Sequence, residues 1–257
     1  MTSHERRQSL IELLRTQPGL RVPEIAQALQ SSEGTVRNDM NALQQAGLLS
    51  RFHGGAVLIE KRSLSSTSFS ARHHQNIPQK EIIARFASQR VNDGDAILLD
   101  ASSTAYYLGL ALKDRQRLRV VTNGLDVARL LASNPTNTVI LIGGILNQDG
   151  SSVTGLFSEQ VIEELHVQKA FVSCTGFSLA SGLTEEHMEE ALLKKKAIES
   201  AKEVIALVDS SKIGKDDLIP FARLEQICCL YTDEGLTSEC QDMVEKAGIS
   251  LTVCRNI

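Results

Sequence analysis

The chain has 257 residues, 42% of them apolar and 23% charged, a balance that excludes disorder and fits one large domain with a smaller attachment. Trp is absent and aromatics make up 4%, so the core must be aliphatic. The net charge of −4 argues alone against a nucleic-acid binder, yet residues 1–58 carry six Arg against five Asp and Glu, net +1, and the remainder 21 basic against 26 acidic residues, net −5.

Thr2-Ser3-His4-Glu5 fits a capping box, after which Leu10, Ile11 and Leu14 line one helical face to about Thr16. Pro18-Gly19 ends that helix. Pro23 suits the first turn of a second one with an apolar face of Ile25, Ala26 and Leu29. Ser31-Ser32 supplies the next cap, for a third helix from about Glu33 to Ala46 with Gly47 as its stop.

At 100° per residue, Val36, Met40 and Leu43 of this third helix face inward, and Gly34, Asn38, Asn41 and Gln45 face outward, flanked by Thr35 and Arg37. Arg bridges guanine edges and Asn or Gln adenine edges, and an α-helix fills the major groove. Thr35, Arg37, Asn38 and Asn41 are therefore the expected base readers on double-stranded operator DNA. Ser50 to Ala56 reads as a tight hairpin whose Arg51 and His53 would lie along a phosphate backbone or minor groove. Three short helices and a hairpin also suit a protein-docking module; the short second helix, the tight turn and the adjacent wing favour DNA.

Arg7 through Leu58 resembles the winged helix-turn-helix of the DeoR family of bacterial repressors. The resemblance lies in the R-x3-I/L spacing of helix one, in Thr35-Val36-Arg37-Asn38-Asp39-Met40, close to a T-[IV]-R-R-D-L pattern, and in Arg51-Phe52-His53-Gly54-Gly55-Ala56, close to R-x-[HY]-G-G-A. Asn38 stands where the pattern more usually has Arg, a change that bears on operator sequence. Asp39 is expected to hold Arg37 or a cap in place.

Residues 59–79, rich in Ser with no sustained period, read as a connector. His73-His74 reads as a solvated pair, and Arg72 and Lys80 as lying against the second domain.

From residue 80 to 257 the pattern alternates. Helices are expected over 80–91, 104–112, 125–133, 189–200 and 238–247. Strands are expected over 96–100, 118–122, 138–142, 169–175, 203–209, 226–232 and 250–253. Continuous apolar strands between amphipathic helices predict an α/β fold with a parallel sheet covered on both faces.

Small, hydroxyl-bearing or glycine residues follow five strands: Asp100, Ser102, Ser103 and Thr104; Thr122 and Asn123; Gly143 and Gly144; Thr175-Gly176-Phe177; and Asp209 to Lys212. The carboxyl edge of an open parallel sheet is where ligands bind. Ser102 to Thr104 at a helix N-terminus would suit an anion, and Lys212 adds a point charge. One such loop means little, since capping alone demands these residues; five at one edge point to a small polar, phosphorylated ligand.

The DeoR resemblance continues here over nearly the whole chain. It implies an effector domain similar to sugar-phosphate isomerases and CoA transferases. A D-x-G-[ST]-T loop corresponds to Asp100–Thr104 with Ser102 replacing Gly, T-N to Thr122-Asn123, G-G to Gly143-Gly144, D-x-S-K to Asp209–Lys212, and G-[LV]-[ST] to Gly182-Leu183-Thr184. Glu190 and Lys194 match an E-x3-K pair, which is equally a plain i,i+4 salt bridge.

A sugar-phosphate isomerase-like enzyme is the rival reading. Its base would be an acid in a segment like Thr175-Gly176-Phe177-Ser178, where this sequence has none; Asp100, Asp209, Glu185 and Glu186 are the other carboxylates near that rim. The expectation is a non-enzymatic, homo-oligomeric (dimer or tetramer) repressor of a carbohydrate-metabolism operon, released from DNA by a sugar phosphate or, alternatively, sensing an unphosphorylated sugar. Five cysteines without C-x-x-C spacing, no apolar run of about 18 residues and no signal peptide fit a cytoplasmic protein with neither metal nor membrane partner.

Overall fold

The computed structural model describes residues 3–16, 19–45, 49–52, 55–58 and 69–255. The chain divides into two compact units, Met1–Ser65 and Ser66–Ile257.

The first unit is three helices, α1 (Ser3–Thr16), α2 (Val22–Ala28) and α3 (Glu33–Gln45), and a hairpin of β1 (Leu49–Phe52) and β2 (Gly55–Leu58). Thr2 of the expected capping box lies outside the described residues. Glu24 caps α2 by accepting from the Arg21 N–H at 2.7 Å. Ser32 caps α3, its Oγ accepting from the Thr35 N–H at 3.2 Å. Leu10, Leu14, Ile25, Val36, Met40 and Leu43 close one aliphatic core under Leu49 and Ala56 of the hairpin.

The second unit begins earlier than its sequence suggests. The connector reading of 59–79 is corrected over its second half, which carries α4 (Phe69–His73) and the start of α5 (Ile77–Ala87). The cause is aromatic. His73 stacks on Tyr107 at 5.3 Å and on Phe69 at 5.7 Å, edge-on to Tyr106. His73 is thus no solvated residue: burial first, then the neighbouring His74, hold its pKa below the ordinary histidine value. Lys80, 2% exposed, ties this segment down by donating to the carbonyls of Arg72 and of Gln75, the latter at 2.6 Å.

There follow β3 (Ala96–Leu99), α6 (Ser103–Ala111), β4 (Arg119–Thr122), α7 (Leu125–Ala132), β5 (Thr138–Leu141), β6 (Ile145–Leu146), β7 (Val153–Thr154), α8 (Leu156–Glu163) and β8 (Val167–Val172). The unit ends with β9 (Gly176–Ser178), β10 (Gly182–Glu185), α9 (Met188–Glu199), β11 (Ala201–Leu207), β12 (Ile219–Ala222), β13 (Cys229–Asp233), α10 (Ser238–Lys246) and β14 (Ser250–Cys254). Seven strands form one parallel sheet in the order β14-β13-β11-β8-β3-β4-β5. Alternate side chains feed two cores: Ile97, Leu99 and Val120 pack with α5, α6 and α7 on one face, and Leu98, Val121 and Ala170 pack with α8 and α9 on the other. The sequence reading did not include α8, the β6–β7 hairpin or the small antiparallel sheet β12-β10-β9. Chain order reverses between β3 and β8, and such a switch point opens a crevice at the carboxyl ends of the strands.

Candidate functional site

In the first unit, Arg37, Asn38 and Asn41 are exposed on α3 and Thr35 is half-buried beside them. Gln44, unremarked in the sequence, is exposed too. Arg37 is held by Glu33, Nη2 to Oε2 at 3.0 Å, an exposed i,i+4 pair; Thr35 shares a 2.8 Å hydrogen bond with the Ser32 hydroxyl. Asp39 corrects its expected role. It is buried, and its two oxygens accept from Arg6 Nε at 2.5 Å and Arg7 Nε at 2.9 Å, so it joins α3 to α1 and does not hold Arg37. Arg51 lies on β1, paired with Ala56; His53 lies outside the described residues.

In the second unit the five polar loops follow β3, β4, β5, β8 and β11, which are consecutive neighbours in the sheet. At the switch point Asp100 spans the crevice: Oδ1 accepts from the Ser102 N–H at 3.0 Å and Oδ2 from the Ser173 N–H at 2.8 Å. Ser102 is the N-cap of α6, its Oγ accepting from the Ala105 N–H. Its extended backbone, φ −74°, needs no glycine, which explains how serine is tolerated there. Ser103 and Thr104 are buried in the first turn, whose N–H groups have no carbonyl partner within the helix. The Thr104 hydroxyl is buried without a hydrogen-bond partner.

Beside it, Thr122 Oγ1 accepts from the Gly124 N–H and the Asn123 amide donates to the Val153 carbonyl at 3.2 Å. On the other side, Asp209 accepts from Ser211 and from the Asn76 amide at 3.1 Å, while Lys212 Nζ lies 3.4 Å from Asp209 Oδ2 and donates to Ser173 Oγ at 3.3 Å. Burial opposes the Asp209 charge, but Lys212 and Ser211 outweigh it and keep its pKa below the ordinary carboxylate range. Lys80 is lowered to about 8, by burial and then by repulsion from Lys212.

The expected Glu190–Lys194 pair is corrected. Glu190 accepts from Ser152 Oγ at 2.6 Å, and burial raises its pKa against the pull of Lys194. The Lys194 ammonium is bound by Glu185, by Asp100 at 3.1 Å and by the Ser173 carbonyl at 2.8 Å. With these three groups around it, Lys194 ties the loops after β3 and β8 to β10. Burial works against its charge, but these carboxylates keep its pKa above the ordinary lysine value.

The glycines have packing reasons. A Cβ on Gly144 would fall 2.5 Å from the Thr154 carbonyl and one on Gly176 2.6 Å from that of Lys215. Gly143 is exposed and its carbonyl accepts from Ser158. Ser173, Lys80 and Asn76 are the rim residues that the sequence reading missed. Ser173 was hidden because the apolar run reads as a strand through Thr175, whereas β8 ends at Val172. Among the described residues, no group of His, Cys, Asp and Glu could hold a metal ion, and no helix is long and apolar enough to cross a membrane.

An exposed amide and guanidinium face on a winged helix-turn-helix, followed by a parallel-sheet unit with a polar rim at its switch point, defines a DNA-binding transcriptional regulator with a sensor domain. The chain belongs to the DeoR family: residues 6–62 match the DeoR-like helix-turn-helix domain and residues 75–234 the DeoR C terminal sensor domain. It is 36% identical over 248 residues to the HTH-type transcriptional regulator YulB of Bacillus subtilis, covering 96% of this chain and 95% of that one. It is 34% identical to the HTH-type transcriptional regulator GolR of Listeria innocua, over 98% and 99%, and 33% identical to the lactose phosphotransferase system repressor of Streptococcus mutans, over 94% of each. Among solved structures, ribose 5 phosphate isomerase A from Neisseria gonorrhoeae is similar over 52% of each chain with a TM-score of 0.39 and 16% identity.

Proposed function

We propose that this regulator represses a carbohydrate-metabolism operon and leaves its operator when a sugar phosphate occupies the rim between Asp100 and Lys212. The observation that carries the reading is Thr104, a buried hydroxyl without a partner at the N-terminus of α6, with the ammonium of Lys212 on the loop after β11, which reaches Ser173 on the loop between them. Helix N-termini favour anions, and a buried unpaired hydroxyl gains a hydrogen bond when one arrives. The kinship with a repressor of a lactose phosphotransferase system supports a sugar as the effector's other half. Lys194 occupies Asp100 and Glu185, which supports binding without turnover. The effector must bind the DNA-incompetent arrangement better, or it shifts nothing. The sensor unit is read as self-associating, so that paired α3 helices meet two half-sites.

The test is a thermal-shift titration against sugar phosphates, each beside its unphosphorylated parent. At 100 times Kd a true effector adds roughly 2.7 kcal/mol, about 5–10 °C for a chain of this size. A shift with the free sugar alone would discard the phosphate reading of Ser102 to Thr104.

Two substitutions separate the units. Arg37→Ala should cost about 1–3 kcal/mol of operator binding and blur one base position; Glu33→Gln, which frees Arg37 from an exposed pair worth at most about 1 kcal/mol, should tighten binding severalfold. Unchanged operator affinity in both would remove Arg37 from the interface. Lys212→Ala should leave operator binding intact and weaken the inducer roughly 10- to 100-fold, the value of one charge-assisted hydrogen bond; an unaltered inducer response would take Lys212 out of the site.

A further inference from the structure

We propose that the face built by β5, the β6–β7 hairpin and α8 is the surface through which a second copy of this chain docks. The inference rests on the self-association proposed above and assigns it a place. Six large apolar side chains stand out to solvent there: Ile140 (39% exposed), Ile145 (71%), Leu146 (54%), Leu156 (66%), Phe157 (71%) and Val161 (40%).

Strand pairing and chain connection bring them to one edge of the sheet. Ile145 pairs with Thr154 across the hairpin, the next residue, Gly155, lies against the Ile145 side chain, and Leu156 then opens α8. Ile140 pairs with Val121 and so shares the sheet face on which Val121 and Ile142 pack with Ile162 of α8. β5 is also an edge strand, with a neighbour on one side only among the described strands, a row of backbone groups that folded chains normally cover or protect.

The area fits a second copy. Weighted by exposure, the six side chains amount to roughly three and a half fully exposed ones, on the order of 400 Å² of apolar surface. A standard interface takes about 800 Å² from each partner, a little over half of it apolar. Charge fits as well. In a two-fold contact a patch meets itself, so like charges would meet like. From Thr138 to Glu163 the charged residues are Asp149, Glu159 and Glu163: the Asp149 carboxylate is engaged by the N–H groups of Phe69 at 2.7 Å and Ser151 at 3.0 Å, Glu159 is half-buried, and Glu163 is paired with Lys196 at 2.6 Å. At the opposite edge of the sheet, beside β14, α10 carries Glu239, Asp242 and Glu245 against Lys246, and would repel its own copy.

The experiment is the solution mass of the full chain by sedimentation equilibrium, for wild type, Phe157→Glu, Ile145→Glu and, as a control at the opposite edge, Met243→Glu, each checked for an unchanged circular dichroism spectrum. The expected result is a wild type at twice 28.1 kDa or a higher multiple. In Phe157→Glu or Ile145→Glu the dissociation constant rises at least about a hundredfold, so that the mass at least halves, while Met243→Glu stays assembled. A monomeric wild type would overturn self-association and this face together. An assembled wild type left intact by both face variants, or dissociated by Met243→Glu alone, would overturn this face and leave self-association standing. If Phe157→Glu fails to fold, Ile145→Glu on the exposed hairpin decides by the same criterion.

Discussion

Replacing Asp39 by alanine is expected to abolish operator binding and to leave the sensor unit untouched. Both carboxylate oxygens are spent on α1, at 2.5 Å from Arg6 and 2.9 Å from Arg7, so this side chain fixes α3, the helix proposed to read bases, against its support. Breaking a buried ion pair costs about 3–5 kcal/mol because a charge is left behind. Here Arg6 is the costly remnant, its side chain 16% exposed, whereas Arg7, at 42%, regains water; about 2–4 kcal/mol is the resulting figure. A unit of this size has few kcal/mol to lose. The melting curve should therefore lose its first-unit transition while the second stays in place, and Asp39→Asn, which keeps the shape and one acceptor, should fall between. Operator affinity within about threefold of wild type for Asp39→Ala would show that the clamp does not position α3.

Asp39 also shows where sequence reading stops. Helical periodicity gives the direction of a side chain and not its partner, and both partners lie more than thirty residues back on another helix. The parallel sheet was legible because strands buried on both faces become continuous apolar runs, and the rim was legible because each run ends in a capping or hydroxyl residue. α8 was not, since Leu156, Phe157 and Val161 face solvent while its buried residues are Ser158 and a single apolar one, Ile162, so no single apolar stripe marks it. α4 was masked by the serines before it. Its signal was Phe69 and His73 four apart, a pair that means little until Tyr106 and Tyr107 arrive from α6. Lys80 read as lying against the second domain, but its full burial was not legible, because the carbonyls that satisfy it belong to α4 and the turn after it.

The largest loss of stability is expected from Lys194→Met. Methionine nearly matches the lysine stem in volume, so the change isolates the charge. It leaves Asp100, Glu185 and Glu190, all buried or close to it, without the ammonium they share, and a stranded buried charge of this kind costs about 3–5 kcal/mol, roughly 6–20 °C in a chain of this length. The pH dependence separates this from lost packing. In wild type the folded pKa of Lys194 is raised above the ordinary lysine value of 10.5, so its contribution is fully present below that value and constant from pH 5 to 8. In the variant Glu190, whose pKa burial already raises, loses the opposing pull of Lys194 and rises further. A raised folded pKa means that the folded state binds more protons than the unfolded one, so stability falls as pH rises. The deficit against wild type should be largest near pH 8 and shrink toward pH 5, with Glu185→Gln in the same background recovering part of it. Urea unfolding at the two pH values decides. An equal deficit at both would mean that packing, not charge, is lost at Lys194, and a fully stable variant that no longer answers its inducer would return Lys194 to the ligand.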